Sequence, residues 1–305
     1  MENTPKISII IPVLNADLLK SCLTFIDKTN TSQSQYEVII VNNDPQNTEI
    51  KEFSNEYKAK YFSLDKPGSY RARNLGAKKA EAEILGFIDV DCEMDKEWIN
   101  QILENLISAD ALIGKTLGEN QNKIARLEQR LYDEIYNDFT SKEKISRIDT
   151  RNFAIKKDVF KKLNGFNEKL AYGGDMEFGA RLADFNFKIL FNEKIVVKHH
   201  NPTKLRSIIT KRITQNFDNY NITKFHPEDF IAKYFPHIYK YQKQEKFRFQ
   251  IRLKYILFRL MLIFVFFLSP ILIKTLPDNI AYLIYKKING LCMHFGFMAN
   301  ILVRK

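Results

Sequence analysis

The first hundred or so residues alternate between short apolar runs and longer amphipathic stretches. Lys6-Ile7-Ser8-Ile9-Ile10-Ile11-Pro12 reads as a buried strand closed by a proline. From Asn15 to Asn30, Leu18, Leu19, Cys22, Leu23 and Ile26 recur at helical spacing. Tyr36 to Val41 is a second buried strand, and it ends in the turn cluster Asn42-Asn43-Asp44-Pro45. A helix over Thr48–Lys58, a short strand over Lys60–Leu64 and a loop at Lys66–Ser69 follow. Tyr70–Ala82 reads as a helix bearing Arg71, Arg73, Lys78 and Lys79. Ile84–Ile88 is a further buried strand, and Trp98–Ser108 is again helical. Strands that alternate with helices predict an α/β fold with a mainly parallel central sheet flanked by helices. Ligands of such sheets bind outside the carboxyl ends of the strands. Asn15, Asn42–Asp44, Asp65, Asp89 and Asp91 all follow strand ends, so they are expected to share one edge.

The pattern is less regular afterwards. Lys115–Asp149 reads as polar and largely helical, with Leu127, Leu131 and Ile135 on one side. Thr150–Ile155 is strand-like and Lys157–Leu163 helical. A glycine loop at Tyr172-Gly173-Gly174 leads into a helix, and two short strands, Phe187–Phe191 and Lys194–Val197, run up to His199-His200. Tyr255–Ile273 is apolar except for Arg259, Ser269 and Pro270, close to the ~20 residues that cross a hydrocarbon core as a helix. Pro270 is expected to kink it, and a weaker apolar stretch, Ile280–Val303, is interrupted by Lys286-Lys287. A span, a hairpin and an interfacial helix all fit this segment. A hydrophobic helix packed on the rest of the protein fits it too.

Charge sharpens that reading. The chain of 305 residues carries a net +11, and Lys204–Arg259 alone holds 13 Lys/Arg against 4 Asp/Glu. The excess therefore lies just ahead of the apolar stretch, with Lys246, Arg248, Arg252 and Lys254 nearest to it, as on the cytoplasmic flank of a membrane segment facing anionic lipid. No basic and aromatic interleaving of a known RNA or DNA module is present, so nucleic acid is not expected as a partner. Cys22, Cys92 and Cys292 have no metal-ligand spacing and read as reduced thiols. No secretory signal is expected, because Met1–Lys6 leads straight into a strand.

The candidate chemistry centres on Asp89-Val90-Asp91. Two carboxylates one residue apart past a buried strand can hold a hard divalent cation and present it to a diphosphate. With 17 Asp in the chain, about one such triplet arises by chance, so its surroundings must decide. Five motifs occur in order: Ile11-Pro12-Val13-Leu14-Asn15, Val41-Asn42-Asn43-Asp44, Ala72-Arg73-Asn74-Leu75-Gly76-Ala77, Phe87-Ile88-Asp89-Val90-Asp91 and Gly173-Gly174-Asp175-Met176-Glu177-Phe178. Together, over roughly residues 5–215, they resemble the family 2 glycosyltransferases of GT-A fold.

The resemblance implies a domain over residues 1–205, with a nucleotide-sugar half at 1–110 and an acceptor half at 111–205. A basic helical segment at 206–254 and a hydrophobic membrane-associating segment at 255–305 follow. It implies transfer of a sugar, with inversion, from a nucleotide diphosphate sugar to a glycan or lipid-linked acceptor, as in polysaccharide biosynthesis; the basic and apolar C-terminal segments put this on the cytoplasmic face of a membrane. Donor contacts are implied at Pro12, Asn15, Asp44, Arg73 and Asp89, and Mn2+ or Mg2+ at Asp91 with His199. Many relatives carry Asp where this chain has Asn42 or Asn43, which leaves the base-contacting side chain open. The family's Glu-Asp pair is Gly174-Asp175 here. Asp175 is the implied general base, and Glu177 competes for that role. No Gln-x-x-Arg-Trp sequence follows His199, and the one tryptophan is Trp98, so the motif of processive relatives is missing and one sugar per encounter is implied. A sugar nucleotidyltransferase would carry a Gly-rich, Arg-containing loop where Pro12–Asn15 stands. A non-enzymatic basic protein of the membrane surface or of nucleic acid is the third reading.

Overall fold

The computed structural model describes residues 4–44, 46–119, 122–141, 144–244 and 248–304, with the side chains of 248, 262–264 and 266 left aside. Pro45 of the turn cluster and Lys246 of the basic flank lie outside the described residues, as does the side chain of Arg248. The chain divides into two units, residues 1–118 with 136–200, and residues 119–135 with 201–305. Residues 119–135 thus group with the C-terminal part rather than with an acceptor half at 111–205.

The first unit is built on one sheet. Its strands are β1 (Ile7–Val13), β2 (Tyr36–Asn42), β3 (Lys60–Ser63), β4 (Ile84–Phe87), β5 (Cys92–Met94), β6 (Ala111–Gly118), β7 (Phe153–Lys156) and β8 (Ile189–His199). Their order is β3-β2-β1-β4-β7-β6-β8-β5. Helices α1 (Ala16–Asp27), α2 (Glu49–Glu56), α3 (Ser69–Lys79), α4 (Trp98–Asn105), α5 (Lys123–Ser141), α6 (Lys157–Lys162) and α7 (Gly174–Asp184) lie between the strands in sequence. Ile7, Ile9, Ile10 and Ile11 of β1 are all buried, as the near-continuous apolar run of a central parallel strand requires. Each such side chain contributes about 1.5–3 kcal/mol. Helix α3 packs so closely on β1 that a Cβ on Gly76 would lie 2.4 Å from Ile10 Cγ2. That approach outweighs the ~1 kcal/mol a mid-helix glycine costs.

The sheet is mixed, which corrects the expectation of a mainly parallel one. Strands β3, β2, β1 and β4 are parallel, but β7 runs antiparallel to both β4 and β6, β6 is parallel to β8, and β5 is antiparallel to β8. The strand–helix alternation that dictates parallel pairing ends at β4. The chain then passes through the Asp pair into the three-residue β5 with no crossover helix between them. Strand β6 was expected to lie partly in a polar helical stretch. Its sequence, Ala-Leu-Ile-Gly-Lys-Thr-Leu-Gly, hides the strand behind two glycines and a lysine. The two short strands expected before His199 are one strand, β8, whose pairing with β6 is irregular between Gly114 and Lys115.

A single buried amide accounts for that irregularity. Asn152 accepts from Trp98 Nε1 at 2.8 Å and donates to the carbonyls of Lys115 (3.0 Å) and Ile195 (2.9 Å). A Cβ on Gly114 would lie 2.3 Å from Asn152 Nδ2, so the glycine makes room for the amide. Its loss would leave buried groups of three elements unpaired, at about 1–3 kcal/mol each.

An aromatic cluster fixes α7 on the sheet. Phe166 and Phe178 have ring centroids 4.7 Å apart, Phe178 meets Phe153 and Phe160, and Tyr70 meets Phe166 at 5.5 Å. Such pairs add about 0.5–1.5 kcal/mol each beyond burial.

The second unit is helical, with the first part of α5 and helices α8 (Leu205–Asn219), α9 (Glu228–Tyr234), α10 (Pro236–Gln244), α11 (Arg248–Thr275) and α12 (Asp278–Val303). Leu205, Ile208, Tyr285, Ile288 and Cys292 are in its core. Buried Glu128 accepts from Arg212 Nη2 at 2.6 Å and from the Tyr285 hydroxyl. Pro270 lies inside α11, and Lys286-Lys287 lies within α12, where Lys286 pairs with Glu134 at 2.7 Å. Among the described residues no helix is long and apolar enough to cross a membrane.

Candidate active site

The parallel register aligns the ends of β1, β2 and β4. Pro12 lies opposite Val41, Val13 opposite Asn42, and Ile10 opposite Phe87. The segments holding Asn15, Asn43–Asp44 and Asp89–Asp91 therefore leave the sheet at one edge, as expected.

On the β1 and β2 side, several polar side chains are committed to local structure. Asn15 is exposed and caps α1, accepting from Asp17 N at 2.9 Å. Asn42 is fully buried, donates to Asn47 O (3.1 Å) and the Tyr61 hydroxyl (3.0 Å), and accepts from Asp44 N (2.8 Å). Asn43 accepts from Gly68 N at 2.6 Å, which ties this turn to the start of α3. Half-buried Asp44 accepts from Gln46 N at 3.2 Å. Pro12 sits within β1 and is half-buried.

Helix α3 carries the first charged contact. Arg73 is only 4% exposed, its Nη2 binds Asp89 Oδ1, and its Nη1 donates to Ser69 O at 3.3 Å. Its Nε is buried without a partner. The carboxylate of Asp89 is thereby held against a fixed cation at the end of β4.

The second carboxylate meets a histidine from the other side of the sheet. Cys92 of β5 pairs with His199 of β8, so His199 lies beside Asp91, with Nε2 at 3.4 Å from Asp91 Oδ2. His200 instead meets Glu93, at 3.9 Å. Burial acts to raise the Asp91 pKa, but His199 and Arg151 outweigh it and hold the carboxyl below its ordinary value. Arg151 is itself fixed by Asp149 through Nε (2.9 Å), Nη2 (2.7 Å) and its backbone N (3.2 Å), and Asp149 also accepts from the Tyr136 hydroxyl at 3.1 Å. Despite its burial, Asp149 is held well below the carboxylate range by Arg151.

Asp175 and Glu177 are in the first turn of α7 but in different surroundings. Gly173 enters the helix with φ 77°, a left-handed conformation that favours glycine. Half-buried Asp175 lies 3.3 Å from the Tyr70 hydroxyl. Burial raises its pKa, Arg147 opposes, and Asp149 adds to the rise, leaving the carboxyl above its ordinary value. Glu177 is buried and gives both oxygens to Arg181, each at 2.8 Å. Arg181 also holds the carbonyls of Leu163 (2.5 Å) and Gly165 (2.8 Å). Glu177 is thus fixed as the partner of a half-buried arginine, and the structure does not bring it together with Asp175.

The sequence model described as Glycosyl transferase family 2 matches residues 8–163, from β1 to the end of α6. The chain is a family 2 glycosyltransferase. Its relatives include the glycosyltransferase AglE of Haloferax volcanii, 28% identical over 208 residues, which cover 64% of this chain and 67% of that protein. The probable glycosyltransferase YdaM of Bacillus subtilis is 24% identical over 63% of this chain and half of its own length. Among solved structures, the mannosyltransferase PcManGT of Pyrobaculum calidifontis, in complex with GDP-Man and Mn2+, superposes with a TM-score of 0.67 at 13% identity. That superposition covers 99% of this chain and 88% of the other, and it places the transferase in the GT-A-like α/β fold. Asp175, Glu177 and His199 fall beyond the stretch matched by the family.

Three side chains of this transferase escaped the sequence reading: Tyr70, Arg151 and Arg147. Tyr70 stood one turn ahead of the Ala-Arg-Asn motif, in a stretch read only as a helix. Arg151 and Arg147 stood in segments without a readable motif, and their partners are supplied by the fold.

Proposed function

We propose that this glycosyltransferase moves one sugar at a time, with inversion, from a nucleoside diphosphate sugar to a hydroxyl of a glycan or lipid-linked acceptor. One observation carries the reading. Helix α3 reaches Asp89 through Arg73 and Asp175 through Tyr70, two residues three apart and so on one helical face. The carboxylates assigned to the donor and to the base are thereby fixed relative to one another.

In this reading Asp175 accepts the proton of the acceptor hydroxyl as its oxygen attacks the anomeric carbon. The bond from that carbon to the diphosphate oxygen breaks, and its electron pair stays on the diphosphate. The buried guanidinium of Arg73 holds Asp89 and adds positive potential where that charge develops. Asp91 and His199 would hold the divalent ion. Their carboxylate oxygen and imidazole nitrogen suit Mn2+ better than Mg2+, and their 3.4 Å contact brings both donors to one point. When bound, the ion neutralises the leaving diphosphate. Asn15, Asp44 and Pro12 border the nucleoside side, where their backbone and any remaining side-chain capacity would read the base and ribose.

The test is a thermal-shift panel of UDP-, GDP- and dTDP-sugars with and without Mn2+, read alongside donor hydrolysis. One donor is expected to raise the Tm in an Mn2+-dependent way, because ligation of the native state stabilises it. No shift with any donor would sink the reading.

The C-terminal unit is assigned to the cytoplasmic face of a membrane. Phe249, Leu253, Ile256, Leu257, Leu260 and Ile271 of α11 are exposed, and so are Arg252, Lys254 and Arg259. An apolar face with basic residues near one end fits a helix lying in an anionic lipid interface. The protein is expected to float with vesicles containing anionic lipid and to do so less with neutral ones. Sedimentation free of both would remove the membrane from the proposal.

A further inference from the structure

The resemblance puts Gly174 where the family's first acid of the pair would stand, and the fold gives that position to an aromatic ring. A Cβ on Gly174 would lie 2.6 Å from Tyr70 Cε2 and 2.7 Å from Cζ. No side chain fits there while the ring stays. The ring is itself fixed, 7% exposed and packed on Phe166. Its hydroxyl reaches the next residue twice, donating to Asp175 Oδ1 and accepting from Asp175 N, both at 3.3 Å.

We propose that Tyr70 is the positioning residue for Asp175, and that its phenol, seated on Gly174, does the orienting that a neighbouring acid would otherwise do. This rests on Asp175 being the base. Both contacts, the O–H···O bond and the N–H···O bond, are long, as catalytic contacts often are without substrate, and they would tighten on acceptor binding. Because Tyr70 shares its helix with Arg73, a shift of α3 on donor binding would move the base as well. Tyr70 touches neither donor nor acceptor in this assignment. It acts through the carboxylate.

The pH dependence has a definite sign. A phenol that donates to a carboxylate favours the charged form and so lowers the carboxyl pKa. Removing the donor raises that pKa. The base must be ionised to work, so the acid limb of transfer moves to higher pH. The other groups around Asp175 are Arg147, Asp149 and Arg73 from neighbouring segments and the Glu177–Arg181 pair along α7. Tyr70→Phe keeps the ring on Gly174 and leaves all of them in place.

The experiment compares Tyr70→Phe with the full-length parent. A roughly tenfold fall in kcat is expected, at the low end for a hydrogen bond to a charged group, with donor KM unchanged and the acid limb displaced upward. Gly174→Ala, which pushes the ring away, should act in the same direction, so the proposal does not hang on one variant. A 13C titration of the Asp175 carboxyl, assigned by its loss in Asp175→Asn, supplies a readout independent of turnover. An unmoved acid limb together with an unmoved carboxyl titration would overturn the role of Tyr70. If Asp175→Asn kept transfer, the base assignment would fall instead, and the titration would still decide whether Tyr70 governs that carboxyl.

Discussion

Asp175→Asn is expected to lower kcat by about 10²–10⁴-fold while donor affinity stays near that of the parent. The amide has the shape of the carboxylate and can still accept from the Tyr70 hydroxyl, but it cannot take a proton. The donor contacts assigned to Arg73, Asp89 and Asp91 are on other elements and should be untouched. The parent enzyme should show the corresponding pH dependence. Burial holds the Asp175 carboxyl above its ordinary value, so activity falls as pH drops through a limb displaced upward from that of an ordinary aspartate. Single-turnover transfer measured beside donor binding separates the two effects. Transfer at the parental rate in Asp175→Asn would mean that another group accepts the proton.

Asp91→Ala is expected to remove the Mn2+-dependent part of donor binding and to reduce transfer by roughly 10³-fold or more, since a metal at a leaving diphosphate supplies several kcal/mol. It should also remove one contact of His199, whose Nε2 now lies 3.4 Å from the carboxylate. Binding that remains would come through Arg73 and Asp89, and it should no longer respond to the ion. Donor melting curves with and without Mn2+ decide this. A variant whose Mn2+ response equals that of the parent would move the ion away from Asp91.

Much of the donor side was legible in the sequence because its signals are local. Strands β1, β2 and β4 are continuous apolar runs, and the residues after them are polar, which suffices to place one edge of a parallel sheet. Beyond β4 the signals depend on partners distant in the chain. Strand β6 is a strand because β7 and β8 flank it and because the Asn152 amide occupies the space above Gly114. Strand β8 reads as two pieces because polar Asn192-Glu193 separates its apolar runs, at the point where its register with β6 shifts.

The same division runs through the site. The resemblance proposes Asp89, Asp91, Asp175 and His199, and the strand register explains why Asp91 and His199 meet. Asn42 was an open candidate for the base, but its amide is used up inside the turn. Gly174 looked like a missing acid. It is a contact surface for a ring 104 residues earlier, which no local pattern could announce.

The amide of Asn152 also bears on how this enzyme reaches its native state. Strand β8 delivers His199 at its last position, and a slip of one residue would turn that imidazole to the opposite face of the sheet. The same slip would turn the buried side chains of Ile195 and Val197 outward, so apolar burial and the Asn152 amide select the same pairing. The Ile195 carbonyl can reach the amide only in the native pairing, and the Trp98 indole and Lys115 carbonyl complete the lock. Asn152 therefore adds a polar check to the alignment of a strand whose far end supplies a candidate metal ligand, and a molecule that failed it would lose core burial and the His199 position together.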